Sequence, residues 1–347
     1  MKGNFTIIKN PDKIDRTKWN DFILNHESGN IFHTPEYFDL CNCVPEYSGA
    51  ALFCIKEEEI IGILVSVIQR ESSGIFGKLT ARSVVFGGPL VKDNDPAIAS
   101  LLLAEYNKII KSKALYSQFR NLKDMSSFRT SFSSNGYKFE DHLNVLINLS
   151  KEKKTLWSEI HSMRRRMITR SIKSGVKVSI ADLEKPDIVE SCYDILKSRY
   201  KEIAIPLPKI DYFKHAAQIL GGNETLKLFI AEIDSKIIGF NMMLCFKSEM
   251  YYWYAAASKK YYDKHPNDAL PWESFSWGID NKYKLYDFGG AGKPDKPYGV
   301  RDFKQKFGGE TINLGRYSLV HKKALYAVIM LGYEVRKMIT KRLCKFY

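Results

Sequence analysis

Residues 286–310 read YDFGGAGKPDKPYGVRDFKQKFGGE, in which the acids Asp287 and Asp302 accompany the pair Phe303-Lys304. Acyl transfer builds negative charge on a carbonyl oxygen, and a fixed ammonium beside that oxygen stabilises the transition state. A carboxylate nearby takes the proton that an attacking amine must lose. At helical spacing Val300, Phe303 and Phe307 share one face, with Lys304 on its flank. That arrangement shields the lysine stem and aims its ammonium into a cleft. It equally describes a solvated lysine beside an amphipathic face, and spacing alone does not choose. Nor does it choose between Asp287 and Asp302 as base. The glycines allow close approach of a substrate to the backbone.

A second cluster lies in IHSMRRRMITRSIKSGVKV. Arg166, Arg170 and Lys173 recur at i, i+4, i+7, which makes a basic stripe suited to a phosphate backbone or a diphosphate. An exposed, solvated helix flank has the same pattern. Direct attack by an amine needs neither a metal nor a covalent nucleophile, and no spacing of Ser, Cys, His and Asp resembles a catalytic triad. The six cysteines show no Cys-x-x-Cys pair and read as reduced thiols. His33 and His265 read as structural or solvated loop histidines.

The elements that must position these residues follow from hydrophobic period and turn signals. The chain has 347 residues, so two domains are the natural expectation. The net charge of +14 favours an anionic partner: nucleic acid, phosphorylated substrate or acidic lipid. The N-terminus lacks the apolar stretch of a signal peptide, and no apolar run reaches the length of a spanning helix. In the first half, ALFCIKEEEIIGILVSVIQ reads as strand, charged turn, strand. In the second, LKLFIAEIDSKIIGFNMMLCF repeats that order, with Ile237-Ile238-Gly239 placed as Ile60-Ile61-Gly62 is. This is a short internal repeat. The polar run Lys151–Lys154 marks the boundary, giving domains 1–150 and 151–321. A helix from Thr155 to Gly175 opens the second, with Leu156, Ile160, Met163 and Met167 on one face. Helices at 186–202, 210–220, 268–283 and 299–307 follow. In MYYWYAAAS the alternation puts Tyr252 and Tyr254 on one side of a strand. Residues 322–347 form a C-terminal amphipathic helix with seven basic residues against one acidic. It packs on the body or lies on an anionic membrane surface.

Three stretches, LKLFIAEIDSKIIGFNMMLCFKSEMYYWYAAAS, NDALPWESFSWGIDNKYKLYDFGGA and YGVRDFKQKFGG, resemble the Fem family (FemA, FemB, FemX) of non-ribosomal peptidyl transferases. They also resemble the BioF2-like acetyltransferases. IFHTPEYFDL stands at a family landmark in the first half. The resemblance implies α/β (α+β) architecture: tandem GNAT-like domains, each a mixed, mostly antiparallel sheet flanked by helices. It implies a cytoplasmic transferase that moves an aminoacyl group from charged tRNA to an amine of a nucleotide- or lipid-linked peptidoglycan precursor. It places Phe303 and Lys304 at the reaction centre, and Tyr212 and Tyr254 against the acceptor. The family's phosphate-gripping basic residue falls at Pro208, with Lys209 next to it as the substitute. Two alternatives stand beside this one: an acyl-CoA-dependent N-acyltransferase acting on an amino sugar, and a non-catalytic protein that binds tRNA or membrane. CoA-using GNAT domains cradle a pyrophosphate in a glycine-rich loop, whereas AAASKKYYDKHPNDALPW contains no glycine. That favours tRNA over acyl-CoA as the donor co-substrate.

Overall fold

The computed structural model describes residues 5–70, 74–203 and 205–332. Two compact units emerge, one built from 1–140 with 316–347, the other from 141–315. The first contains β1 (Thr6–Ile8), β2 (Tyr47–Lys56), β3 (Glu59–Gln69), β4 (Arg82–Phe86), β5 (Leu90–Val91), β6 (Tyr116–Arg120) and β7 (Lys138–Glu140). Its helices are α1 (Arg16–Asn25), α2 (Pro35–Leu40), α3 (Gly74–Thr80), α4 (Pro96–Lys113) and α5 (Arg129–Ser134). The second contains β8 (Leu143–Asn148), β9 (Lys177–Ile180), β10 (Leu226–Ile233), β11 (Lys236–Phe246), β12 (Glu249–Ala257), β13 (Leu285–Gly290) and β14 (Glu310–Asn313). Its helices are α6 (Lys153–Glu159), α7 (Ser162–Lys173), α8 (Pro186–Glu202), α9 (Ile210–Ala216), α10 (Pro266–Asp280) and α11 (Gly299–Gln305). The chain then returns to the first unit with β15 (Arg316–Val320).

The two sheets share one topology. Their strand orders are β1-β2-β3-β4-β6-β15-β7 and, read from the other edge, β9-β10-β11-β12-β13-β8-β14. In each, the fourth and fifth strands are parallel and every other neighbouring pair is antiparallel. The short sequence repeat marks a shared device. The hairpins turn through Glu57-Glu58 and Asp234-Ser235, all with positive φ, and bulge directly afterwards. The register skips Ile61 in one and Ile238 in the other. Gly62 and Gly239 follow the bulges. A Cβ on Gly62 would stand 3.0 Å from Leu102 of α4, and one on Gly239 3.3 Å from Leu270 of α10. Glycine here lets the covering helix approach the sheet. The core of the first unit centres on Tyr106, Phe119, Phe132 and Tyr317, that of the second on Phe275, Tyr286, Phe288 and Phe307.

Two expectations change. The division expected at 150/151 falls at 140/141, and the second unit ends at Gly315 rather than 321. The reason is pairing: β8 lies between β13 and β14, while β15 lies between β6 and β7. The helix expected over Thr155–Gly175 is two helices. Extended backbone at Ile160 and His161 separates them, His161 Nδ1 caps α7 at Met163 N, and Arg165 caps α6 through Ser158 O. Met163 is accordingly exposed, and Ile168 takes the buried position. Of the C-terminal segment, 323–332 is helical and exposes Val328 and Leu331; residues 333–347 lie outside the described residues. No helix among the described residues is long and apolar enough to cross a membrane.

Candidate active site

The parallel pair of the second sheet comes apart. β12 and β13 hold register only from Glu249–Tyr251 against Leu285–Asp287. In the first unit the equivalent strands stay paired over Arg82–Phe86 with Tyr116–Arg120, and Gly87 N–H extends the contact to Arg120 O. Parting leaves a slot. Tyr251 to Ala255 are all half-buried although β12 is an interior strand, while its neighbour β11 is buried from Ile238 to Cys245. The carboxyl ends of parallel strands are where open α/β sheets take ligands.

A bulge also corrects the facing of the tyrosines. Met242 pairs with Tyr254 and Met243 with Tyr252, so Trp253 is the extra residue. Tyr252 therefore faces the α10 side, against Phe288 at 5.2 Å, and Tyr254 faces α8 and α9, against Phe213 at 5.0 Å. Tyr254 and Tyr212 are brought into one aromatic cluster through Trp253 and Phe213. Lys209 is exposed at the N-cap of α9, before Tyr212.

At the end of β13 the chain bulges again, this time against β8: Asp287 opposes Leu146 but Gly290 opposes Asn144. Gly289 takes φ +71° in the bulge. Lys304 reaches the carbonyls on either side of this bulge. Its Nζ donates to Phe288 O (2.5 Å) and Gly290 O (2.9 Å). Asp287 Oδ1 accepts the Gly289 N–H at 2.6 Å, and its carboxylate also accepts from Asn144 Nδ2 at 3.3 Å. Lys304 and Asp287 are each only 7% exposed. Burial brings the lysine down to about 8, against the pull of Asp287. Burial raises Asp287 to about 6, against its bonds to Gly289 and Asn144 and the field of Lys304. Between those values both groups carry charge. Lys304 also lies 6.0 Å from the Tyr252 ring centre.

The geometry of α11 thus differs from the sequence reading. Val300 is exposed, and the inward face is Phe303, Lys304 and Phe307. Lys304 does not reach outward from a flank; two of its three N–H groups hold the strand end. Asp302 is exposed, which leaves Asp287 as the acid at the site. Arg166, Arg170 and Lys173 all point to solvent from α7, and no acid occurs from Ile160 to Ala181. His33 is buried, with Nε2 2.9 Å from Gly88 O.

Sequence reasoning missed Asn144, Arg164 and Asp268. Arg164 Nη1 donates to Asp268 Oδ1 at 2.5 Å, and its guanidinium carbon lies 4.5 Å from the centre of the Phe303 ring. The triple arginine was visible as charge, but nothing in it distinguishes Arg164, which turns inward, from Arg166. Asp268 stands in the first turn of α10 and is buried.

Residues 162–305 match the family described as acetyltransferase (GNAT) domain. The chain is 24% identical over 218 residues to a UDP-N-acetylmuramoylpentapeptide-lysine N(6)-alanyltransferase of Weissella viridescens, covering 61% of this chain and 60% of that protein. It is 33% identical over 99 residues to a lipid II:glycine glycyltransferase of Staphylococcus haemolyticus, covering 27% and 23%. The matches thus span less than two thirds of either relative. The crystal structure of FemX superposes with TM-score 0.71 at 13% identity, over 93% of this chain and 99% of that one. Residues 162–305 of the second unit thus match a GNAT domain, the first unit repeats the second's topology, and the chain is similar in sequence to an alanyltransferase and a glycyltransferase and in fold to FemX.

Proposed function

We propose that this chain transfers an aminoacyl group from charged tRNA to an amine of a peptidoglycan or other cell-envelope precursor. The observation that carries the reading is the buried Lys304–Asp287 pair at the end of the slot where β12 and β13 part. It coincides with the Phe303-Lys304 motif and lies within the residues that match a GNAT domain, in a chain similar to an alanyltransferase and a glycyltransferase. The acceptor amine, once neutral, attacks the ester carbonyl and forms a C–N bond. The third N–H of Lys304 stabilises the resulting oxyanion. Collapse breaks the C–O bond, and the ribose oxygen leaves with the proton the amine gives up. Asp287 keeps Lys304 charged near neutral pH.

The start of α10, where a CoA pyrophosphate would sit in a GNAT domain, supports a donor other than acyl-CoA. Pro266 has no N–H, and the amides of Asp268 and Ala269 both turn back to His265 O. The buried carboxylate of Asp268, paired with Arg164, occupies the same turn. The exposed cations of α7 supply the phosphate contacts that tRNA requires. On this reading the aromatic cluster around Tyr212 and Tyr254 takes the nucleotide- or lipid-linked acceptor, with Lys209 at its phosphates. The exposed Val328 and Leu331, followed in sequence by five more cations, hold the protein at the anionic inner face of the cell membrane. A thermal-shift titration tests the donor, because ligand binding raises apparent stability by mass action. Saturable stabilisation by charged tRNA and none by acyl-CoAs is expected; the reverse result would overturn the assignment.

A further inference from the structure

The reaction centre stands on a helix that cannot hold itself. α11 has seven residues, well below the roughly 12–15 at which an isolated helix becomes marginally stable. Eight consecutive exposed residues, 293–300, lead into it. Arg301 fastens that loop to Lys293 O and Lys296 O, which ties the loop to the helix and not to the sheet. Its C-terminal end is held by Phe307 in the core, by the Gln305 Nε2 bond to Thr311 Oγ1 and by His161 N–H on Lys306 O; its middle is placed by Lys304 on the end of β13 and by the half-buried ring of Phe303. Arg164 covers that ring, its guanidinium carbon 4.5 Å from the ring centre. Arg164 is in turn fixed by the buried carboxylate of Asp268, on the helix against which α7 packs.

We infer that Arg164, locked by Asp268, is a positioning residue: it clamps Phe303 and so holds α11, with Lys304, against the end of β13. A guanidinium suits this task because it pairs with a carboxylate and presents a flat face to an aromatic ring at the same time. A lysine at 164 would keep the ion pair and lose the face. The competing account is that Arg164 merely neutralises Asp268, and it predicts that lysine suffices.

The test compares the full chain with Arg164→Lys, Asp268→Asn and Phe303→Leu. Hydrogen exchange of the peptide covering 299–307 is the first readout. Exchange there should quicken about tenfold in Arg164→Lys and Asp268→Asn, and remain unchanged elsewhere, because local opening is set by local contacts. Turnover is the second: kcat should fall about tenfold or more in Arg164→Lys, with KM for the donor within about threefold. Adding Arg164→Lys to Phe303→Leu should cost less than about twofold more, because the clamp then has nothing to hold. Parental exchange in Arg164→Lys, parental kcat, or losses that multiply in the double variant would each overturn the inference. The kcat readout rests on the transferase reading, but the exchange readout does not. A parent chain without aminoacyl transfer would refute that reading and leave the clamp to be decided by exchange alone.

Discussion

Replacing Lys304 by methionine keeps most of the volume and removes the donor shared by Phe288 O and Gly290 O. Two buried carbonyls left without donors cost about 2–6 kcal/mol. Against this, the variant no longer buries an ammonium whose pKa has fallen from 10.5 to about 8. That relief amounts to about 3 kcal/mol. The net change at pH 7 therefore lies between a gain of about 1 kcal/mol and a loss of about 3 kcal/mol, or roughly 3 °C up to 10 °C down in Tm for a unit of this size. The pH dependence is sharper. With its folded pKa below its unfolded one, Lys304 releases its proton from the folded state first. Between pH 8 and 10.5 the unfolded chain holds more protons, so this group makes the parent more stable as pH rises. The stability gap between parent and Lys304→Met should thus widen by about 2–3 kcal/mol from pH 7 to pH 10. Urea unfolding followed by tryptophan fluorescence reads it, since four of the five tryptophans lie in the second unit. A gap that stays constant with pH would refute the buried ammonium, and with it the electrostatic role given to Lys304.

Further expectations rest on the same geometry. Transfer should rise through about pH 6 as Asp287 ionises and fall through about pH 8 as Lys304 loses its proton, in a pH–rate profile. In Asp287→Asn the falling limb should move to lower pH, because the charge that supports the ammonium is gone; an unmoved limb would separate the two residues. Replacing Arg166, Arg170 and Lys173 together by alanine should weaken tRNA binding and flatten its salt dependence by about 2–3 in the log–log slope, read by filter binding across salt concentrations. Removing 322–347 should release the protein from anionic vesicles in a flotation assay, while binding to neutral vesicles stays low throughout.

Much of the fold was legible in local pattern. The 3.6 period marked α8, α9 and α10, and the Ile-Ile-Gly repeat marked a bulge that recurs in both sheets. What local pattern does not carry is the identity of a strand's partner. Nothing in LNVLIN or RYSLV, the sequences of β8 and β15, says which sheet each completes. Strict alternation in MYYWYAAAS hid the bulge at Trp253, because every residue there is one that either face accepts. At the site, resemblance found Phe303 and Lys304, but neither it nor spacing showed that Lys304 is buried. A lysine reads as solvated unless its acceptors are known, and here the acceptors are backbone carbonyls beside a bulge sixteen residues upstream. Asp287 was visible as a candidate beside Asp302; burial and the bond to Gly289 distinguish it.

The most direct test of the transferase account is a transfer assay with tRNA charged with radiolabelled amino acids, a muramoyl-pentapeptide or lipid-linked acceptor, and labelled acetyl-CoA in a parallel reaction. The account predicts alkali-stable label on the acceptor from tRNA, lost in Lys304→Met, and none from acetyl-CoA. Label transferred from acetyl-CoA, with charged tRNA inert, would contradict it.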